Sequence, residues 1–148
     1  RQVASALRLL GDTPAQVVLL VADTGAPIER AKLTAAAPAP PRLLIVAPLR
    51  LVKSEAGAKA GDDAGLLVVT SDASPDADAT APVASGAIAL PSGVPTDDLA
   101  AAQVAALAAR VLSREPSLEG SVLRARLLSL ATSEPGGRKV FLRIDALP

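Results

Sequence analysis

The sequence predicts an α/β fold, a small mixed sheet of about five strands packed against helices. Three observations carry that expectation. Short apolar runs rich in Val, Leu and Ile occur at 15–23, 42–52 and 65–72, as in strands, the first with the pattern of a strand covered on both faces. Longer segments with apolar residues at helical spacing lie at the start of the chain and at 96–131. The apolar fraction is 50% in 148 residues, enough for one real core and too high for a chain disordered throughout.

Taken in order, Val3, Leu7 and Leu10 line one face of an opening helix that starts before Arg1 and stops at Gly11. The run 15–23 reads as a central strand, and Pro27 suits the first position of a short helix. "APAPP" at 37–41 is an extended connector, because proline removes donors and pushes its predecessor out of the α region. Segment 42–52 reads as a strand bent at Pro48, a placement suited to an edge. Loops are expected at 53–65 and 73–86, with strands at 65–72 and 87–90.

The clearest helix follows. Thr96 is its N-cap, Asp97 and Asp98 fill its first turn, Arg110 and Arg114 its last, and Pro116 stands beyond it. Val104, Leu107 and Val111 form its apolar stripe. A second helix is expected from Ser117, with Leu123, Leu127 and Leu130 inward, Arg124 and Arg126 outward, and Gly120 weakening its first turn. "EPGG" ends it, and 139–145 alternates as a final strand. The expected organisation is one domain, 1–148, with an alternative division into half-repeats 1–52 and 65–148 joined by a flexible 53–64 loop.

Composition excludes several activities. Cys, His, Met, Trp, Tyr and Asn are absent, so there is no disulfide framework, thiolate zinc site, or serine or cysteine triad with its histidine. The missing initiator Met reads as a fragment or processed chain, with no leader at its start. Net charge is zero, yet 61–109 carries Asp62, Asp63, Asp72, Asp76, Asp78, Asp97 and Asp98 and no Lys or Arg. With Phe141 the only aromatic, there is no interleaving of basic and stacking residues, which argues against nucleic-acid binding. The most apolar helical segment, 99–112, is interrupted by Gln103 and Arg110 and is too short to cross a bilayer.

Four motifs invite functional readings and yield to simpler ones. "ADTGAP" at 22–27 contains the Asp-Thr-Gly-Ala string of aspartic proteases, but one copy supplies one carboxylate where two must share a proton. It reads better as a turn ending a strand. An EF-hand starting at Asp76 would place Ala81 and Ala87 where Gly and Glu are required. "GAKAG" at 57–61 lacks the strand, helix and lysine of a phosphate loop. Asp62–Asp63 and Asp97–Asp98 are sequence neighbours rather than an acid–base pair, and helix-capping accounts for the second. No catalytic, cofactor-binding or metal-ligating residue is assigned, and the expectation is a chain that is not an enzyme and holds no cofactor.

One resemblance remains. "PSLEGSVLRARLLSLATSEPGGRKVFLRIDALP" at 116–148 resembles the first half of the periplasmic domain of the ExbD/TolR family of biopolymer transport proteins. That family has a Ser-Leu-Glu-led helix, a Pro-bearing turn, and a strand of the form V-x-L-R-x-D leading through a Pro into a further helix and strand. The opening "RQVASALRLLGDTPAQVVLLVAD" is similar to that continuation, and "GLLVVTSD" with "GAIAL" to the strand pair before the family's first helix. Joined end to start, the pieces make one unit in permuted order, as in a segment cut from tandem halves or a circular rearrangement.

The chain departs from the family in three ways: no aromatic follows Pro148, two helices occupy 96–131, and the membrane helix whose Asp carries the proton is not among these residues. The resemblance implies a non-enzymatic periplasmic domain of a proton-motive-force-coupled protein on the bacterial inner membrane, anchored from outside this segment. Its implied partners are a second copy as homodimer and an inner-membrane motor subunit or cell-wall component. Edge pairing through 42–52 or 139–145 is the expected route to dimers. A rival reading is a degenerate receiver- or GAF-like sensor, since 86–112 is similar to the last strand and helix of such domains. The acidic pocket and Lys of a working receiver are not evident.

Overall fold

A computed structural model describes residues 2–21, 26–36, 42–53, 65–71, 88–90, 96–133 and 140–142. The elements are α1 (Gln2–Gly11), β1 (Val17–Leu19), β2 (Ile28–Glu29), α2 (Arg30–Ala36), β3 (Leu44–Pro48), a 3-10 turn (Leu49–Leu51), β4 (Val52–Lys53), β5 (Leu66–Ser71), β6 (Ile88–Leu90), α3 (Asp97–Arg114), α4 (Gly120–Ser129), β7 (Ala131–Ser133) and β8 (Val140–Leu142). The α/β class is as expected. A six-stranded sheet runs β1-β3-β5-β6-β8-β7, and β2 and β4 form a separate two-stranded pair. All neighbours are parallel except β7 and β8, which makes the main sheet mixed.

The two faces of the sheet follow from the twofold alternation of its strands. Leu44, Val46, Leu67 and Val69 point to one side, where Ala100, Ala101, Val104, Leu107, Ala108 and Val111 of α3 and Leu123 and Leu127 of α4 cover them. Ile45, Ala47, Leu66 and Val68 point to the other, under Leu7 of α1 and Leu33 and Ala36 of α2. Both faces being dry, β3 and β5 are buried along their whole length, which is why they read as unbroken apolar runs. Each fully buried Leu or Val on these faces contributes about 1.5–3 kcal/mol relative to exposure.

Strand order departs from the sequence reading at both edges. Segment 15–23, expected at the centre, supplies β1 at one edge; segment 42–52, expected at an edge, supplies β3 between β1 and β5. The reason is helix coverage: Val17 and Leu19 pack on the α3 side and Val18 and Leu20 on the α1 side, so an edge strand here has two apolar faces. Pro48 sits in an interior strand because it ends a ladder rather than interrupting one. Leu44 N–H donates to Gln16 O (2.8 Å) and Leu20 N–H to Val46 O (2.9 Å). The next rung toward β1 would need an N–H at position 48, which proline lacks.

Several element boundaries also shift. The segment after Pro27 begins as β2, which pairs with β4, before α2 starts at Arg30. The last helix begins at Gly120 rather than Ser117, and its end leads directly into β7, a strand the sequence reading missed. β7 covers the outer edge of β8, so 139–145 contributes an interior strand and not an edge. The expected connector at 37–41 and loops at 54–64 and 73–86 lie outside the described residues.

Helix α4 lies across the N-terminal ends of the strands. Gln16 Nε2, just before β1, donates to Pro116 O (2.8 Å) and Leu118 O (3.2 Å). Gly120 N–H donates to Arg42 O (3.1 Å), before β3, and Arg124 Nε to Leu66 O (2.8 Å), at the start of β5. Successive points from the α3–α4 turn into α4 thus meet successive strands. Gly120 is where the helix touches the sheet: a Cβ there would overlap the Leu43 carbonyl and come within 2.8 Å of Leu44 N. Its role is close approach, not merely a weak first turn. Arg124 turns toward the sheet, contrary to its expected outward placement.

Candidate functional site

At the opposite end, where the parallel strands finish, α3 starts. Thr96 has extended backbone, and its Oγ1 accepts from Leu99 N–H at 3.2 Å, the expected N-cap. Asp97 is only 4% exposed. Its Oδ1 accepts from Ser71 N–H (2.8 Å) and Thr70 Oγ1–H (2.9 Å), the last two residues of β5. Asp98 faces the 3-10 turn and receives both Nε (2.7 Å) and Nη2 (2.6 Å) of Arg50, a two-pronged ion pair about one-third exposed on each side.

These two carboxylates therefore do more than complement the helix dipole. One is a buried latch holding α3 to β5, and the other is a surface clamp holding it to the turn after β3. Arg50 and Thr70–Ser71 were not foreseen as their partners. The signal was present in "VVTSD", where an apolar strand turns polar, but nothing in a single sequence pairs it with residue 97. Asp97 Oδ1 is taken up by donors of its own fold, so the cluster has the chemistry of a joint.

The remaining motifs weighed above fall where no geometry is described: 22–25, 57–61, 62–63 and 72–87. Among the described residues no group of three or more acidic, His or Cys side chains could hold a metal ion. None of the described helices is long and apolar enough to cross a membrane.

Among the described residues, two grooves and the two sheet edges, at β1 and β7, mark the surface. A groove of about 410 Å³ lies between the ends of α3 and α4, lined by Arg110, Val111, Arg114, Glu115, Arg126 and Leu130. Within it Arg126 Nη2 meets Glu115 Oε1 at 3.2 Å, both well exposed. A second, of about 330 Å³, lies around Gln16, Arg42 and Glu119 at the N-terminal end of the sheet, where Gln16 already bridges the chain to the α3–α4 turn. Neither was marked in the sequence, where Arg110 and Arg114 read only as dipole complements.

One of these edges belongs to β1. Because Gln16 O and Leu20 N–H face β3, backbone alternation turns the N–H and C=O of Val17, Leu19 and Val21 away from the sheet. Among the described residues no strand pairs with that side. Val21 is 68% exposed and Leu9, on α1, is 71% exposed. Such an edge is a template for another strand. No protein-family model, curated protein or solved structure matches the chain.

Proposed function

We propose that the chain is a non-enzymatic binding and dimerisation domain of an ExbD/TolR-like, proton-motive-force-coupled transport protein, positioned on the periplasmic face of the bacterial inner membrane by an anchor outside these residues. The observation that carries the binding role is the open β1 edge, with three residues' hydrogen-bonding groups turned outward beside exposed Val21. A second copy pairing there about a twofold axis would satisfy those groups and extend one sheet through both protomers. The expected pairing through 42–52 or 139–145 is replaced by this edge, since β3 and β8 have neighbours on both sides.

The transport context rests on the resemblance. Two helix-to-strand units support it: α4 leading through β7 to β8 and α1 leading to β1, with V-x-L-x-x-D at 140–145 and again at 18–23 and a Pro close behind each. An inner-membrane motor subunit or a cell-wall component is the implied further partner.

The edge is tested by Val21→Pro, which removes an outward N–H and leaves the rungs to β3 intact. Sedimentation equilibrium is expected to show a dimer whose dissociation constant rises at least tenfold in the variant, with an unchanged melting temperature of the isolated protomer. A wild-type chain monomeric at millimolar concentration would overturn it. The context is tested by fractionating cells that express the full-length parent: a membrane-bound chain, cut by protease only from outside the inner membrane, is expected. A soluble chain protected in the cytoplasm would contradict it and favour the receiver- or GAF-like sensor.

A further inference from the structure

Among the described residues, the groove between α3 and α4 has a charge pattern that its lining does not balance. Arg110 and Arg114 are one helical turn apart on α3, so their guanidinium groups are neighbours of like charge, a pairing that disfavours the helix. The helix dipole accounts for Arg114, which lies in the last turn, but Arg110 precedes that turn. Arg126, from α4, brings a third guanidinium. Glu115 is the groove's one acidic lining residue among those described, and it is engaged with Arg126. The described lining thus carries a surplus of two positive charges, on Arg110 and Arg114.

Beneath the rim the surface is apolar. Val111 is buried and Leu130 half-buried between the two helices. A volume of about 410 Å³ is in the range of small-molecule sites. Guanidinium groups bind phosphate or carboxylate oxygens in pairs, and a short hydrocarbon would cover the floor.

We infer that this groove binds a small amphipathic anion, a phosphate or carboxylate head held by Arg110 and Arg114 with an aliphatic tail over Val111 and Leu130. The site is separate from the β1 edge and does not depend on the transport reading. An inorganic anion alone would satisfy the rim and leave the floor wet, and an uncharged alcohol would do the reverse. Both should bind more weakly than a molecule that does both.

The test is an NMR titration of the arginine Nε–H signals with hexyl phosphate, hexanoate, inorganic phosphate and hexanol, each at constant ionic strength. Hexyl phosphate or hexanoate is expected to saturate shifts of Arg110 and Arg114, binding at least tenfold more tightly than inorganic phosphate or hexanol; which head binds better identifies the anion. Arg110→Gln with Arg114→Gln should weaken it at least tenfold with little change in melting temperature, both side chains being exposed. Should the double variant melt early, Arg110→Gln alone, outside the last turn, serves in its place with a several-fold loss expected. Equal affinity for inorganic and hexyl phosphate, non-saturating shifts, or unchanged affinity in the variants would overturn the inference.

Discussion

Asp97 and Gly120 illustrate how one side chain, or the lack of one, joins layers that are distant in sequence. Asp97→Ala strands the Ser71 N–H and the Thr70 hydroxyl in a dry interior and is expected to cost about 3 kcal/mol, read by urea unfolding. Asp97→Asn keeps an acceptor oxygen and should cost about half as much. Gly120→Ala would normally favour a helix, but here it drives a methyl into the Leu43 carbonyl. The expected outcome is a loss of about 2 kcal/mol, with α4 pushed off the sheet. At the surface, Glu29 accepts from Lys32 Nζ at 2.9 Å, and that hydrogen bond, with the ammonium charge, holds its carboxyl below the ordinary value. A folded-state pKa lowered in this way stabilises the fold above the unfolded value and is lost as pH falls through the folded one. An NMR titration should give Glu29 a midpoint below that of a free glutamate, returning toward the ordinary value in Lys32→Ala.

Among the elements, α3 was legible throughout: its cap, its ends and its stripe of Val104, Leu107 and Val111 follow from spacing alone. The strands were legible as strands but not in their order. Periodicity reports whether a strand's faces are covered, and helices cover both faces of β1 even though one of its sides is open. Edge and centre therefore look alike. Pro48 misled for a related reason, since it stands at the end of its ladder, where the missing N–H stops the pairing instead of interrupting it. β7 left no signal because "ATS" is short and two of its three residues are polar. The Asp98–Arg50 clamp, between elements 48 residues apart, was equally invisible. Being partly exposed, it should be worth about 1 kcal/mol and weaken with salt, so Arg50→Gln is expected to cost less at 1 M NaCl than at low salt.

For the whole molecule, helices pack on both faces of one mixed sheet, α4 closes the N-terminal end, and α3 is latched at the other; among the described residues the outer sides of β1 and β7 carry no strand partner. The β1 edge, beside exposed Val21, is the basis for reading the chain as a domain that associates through a strand. Amide hydrogen exchange, followed residue by residue across protein concentration, tests it most directly. Leu20 N–H, bonded to Val46 O, should be protected at every concentration, whereas the Leu19 and Val21 amides should be slow at high concentration and exchange freely on dilution. Rapid exchange of Leu19 and Val21 at all concentrations, with Leu20 still protected, would contradict association through β1.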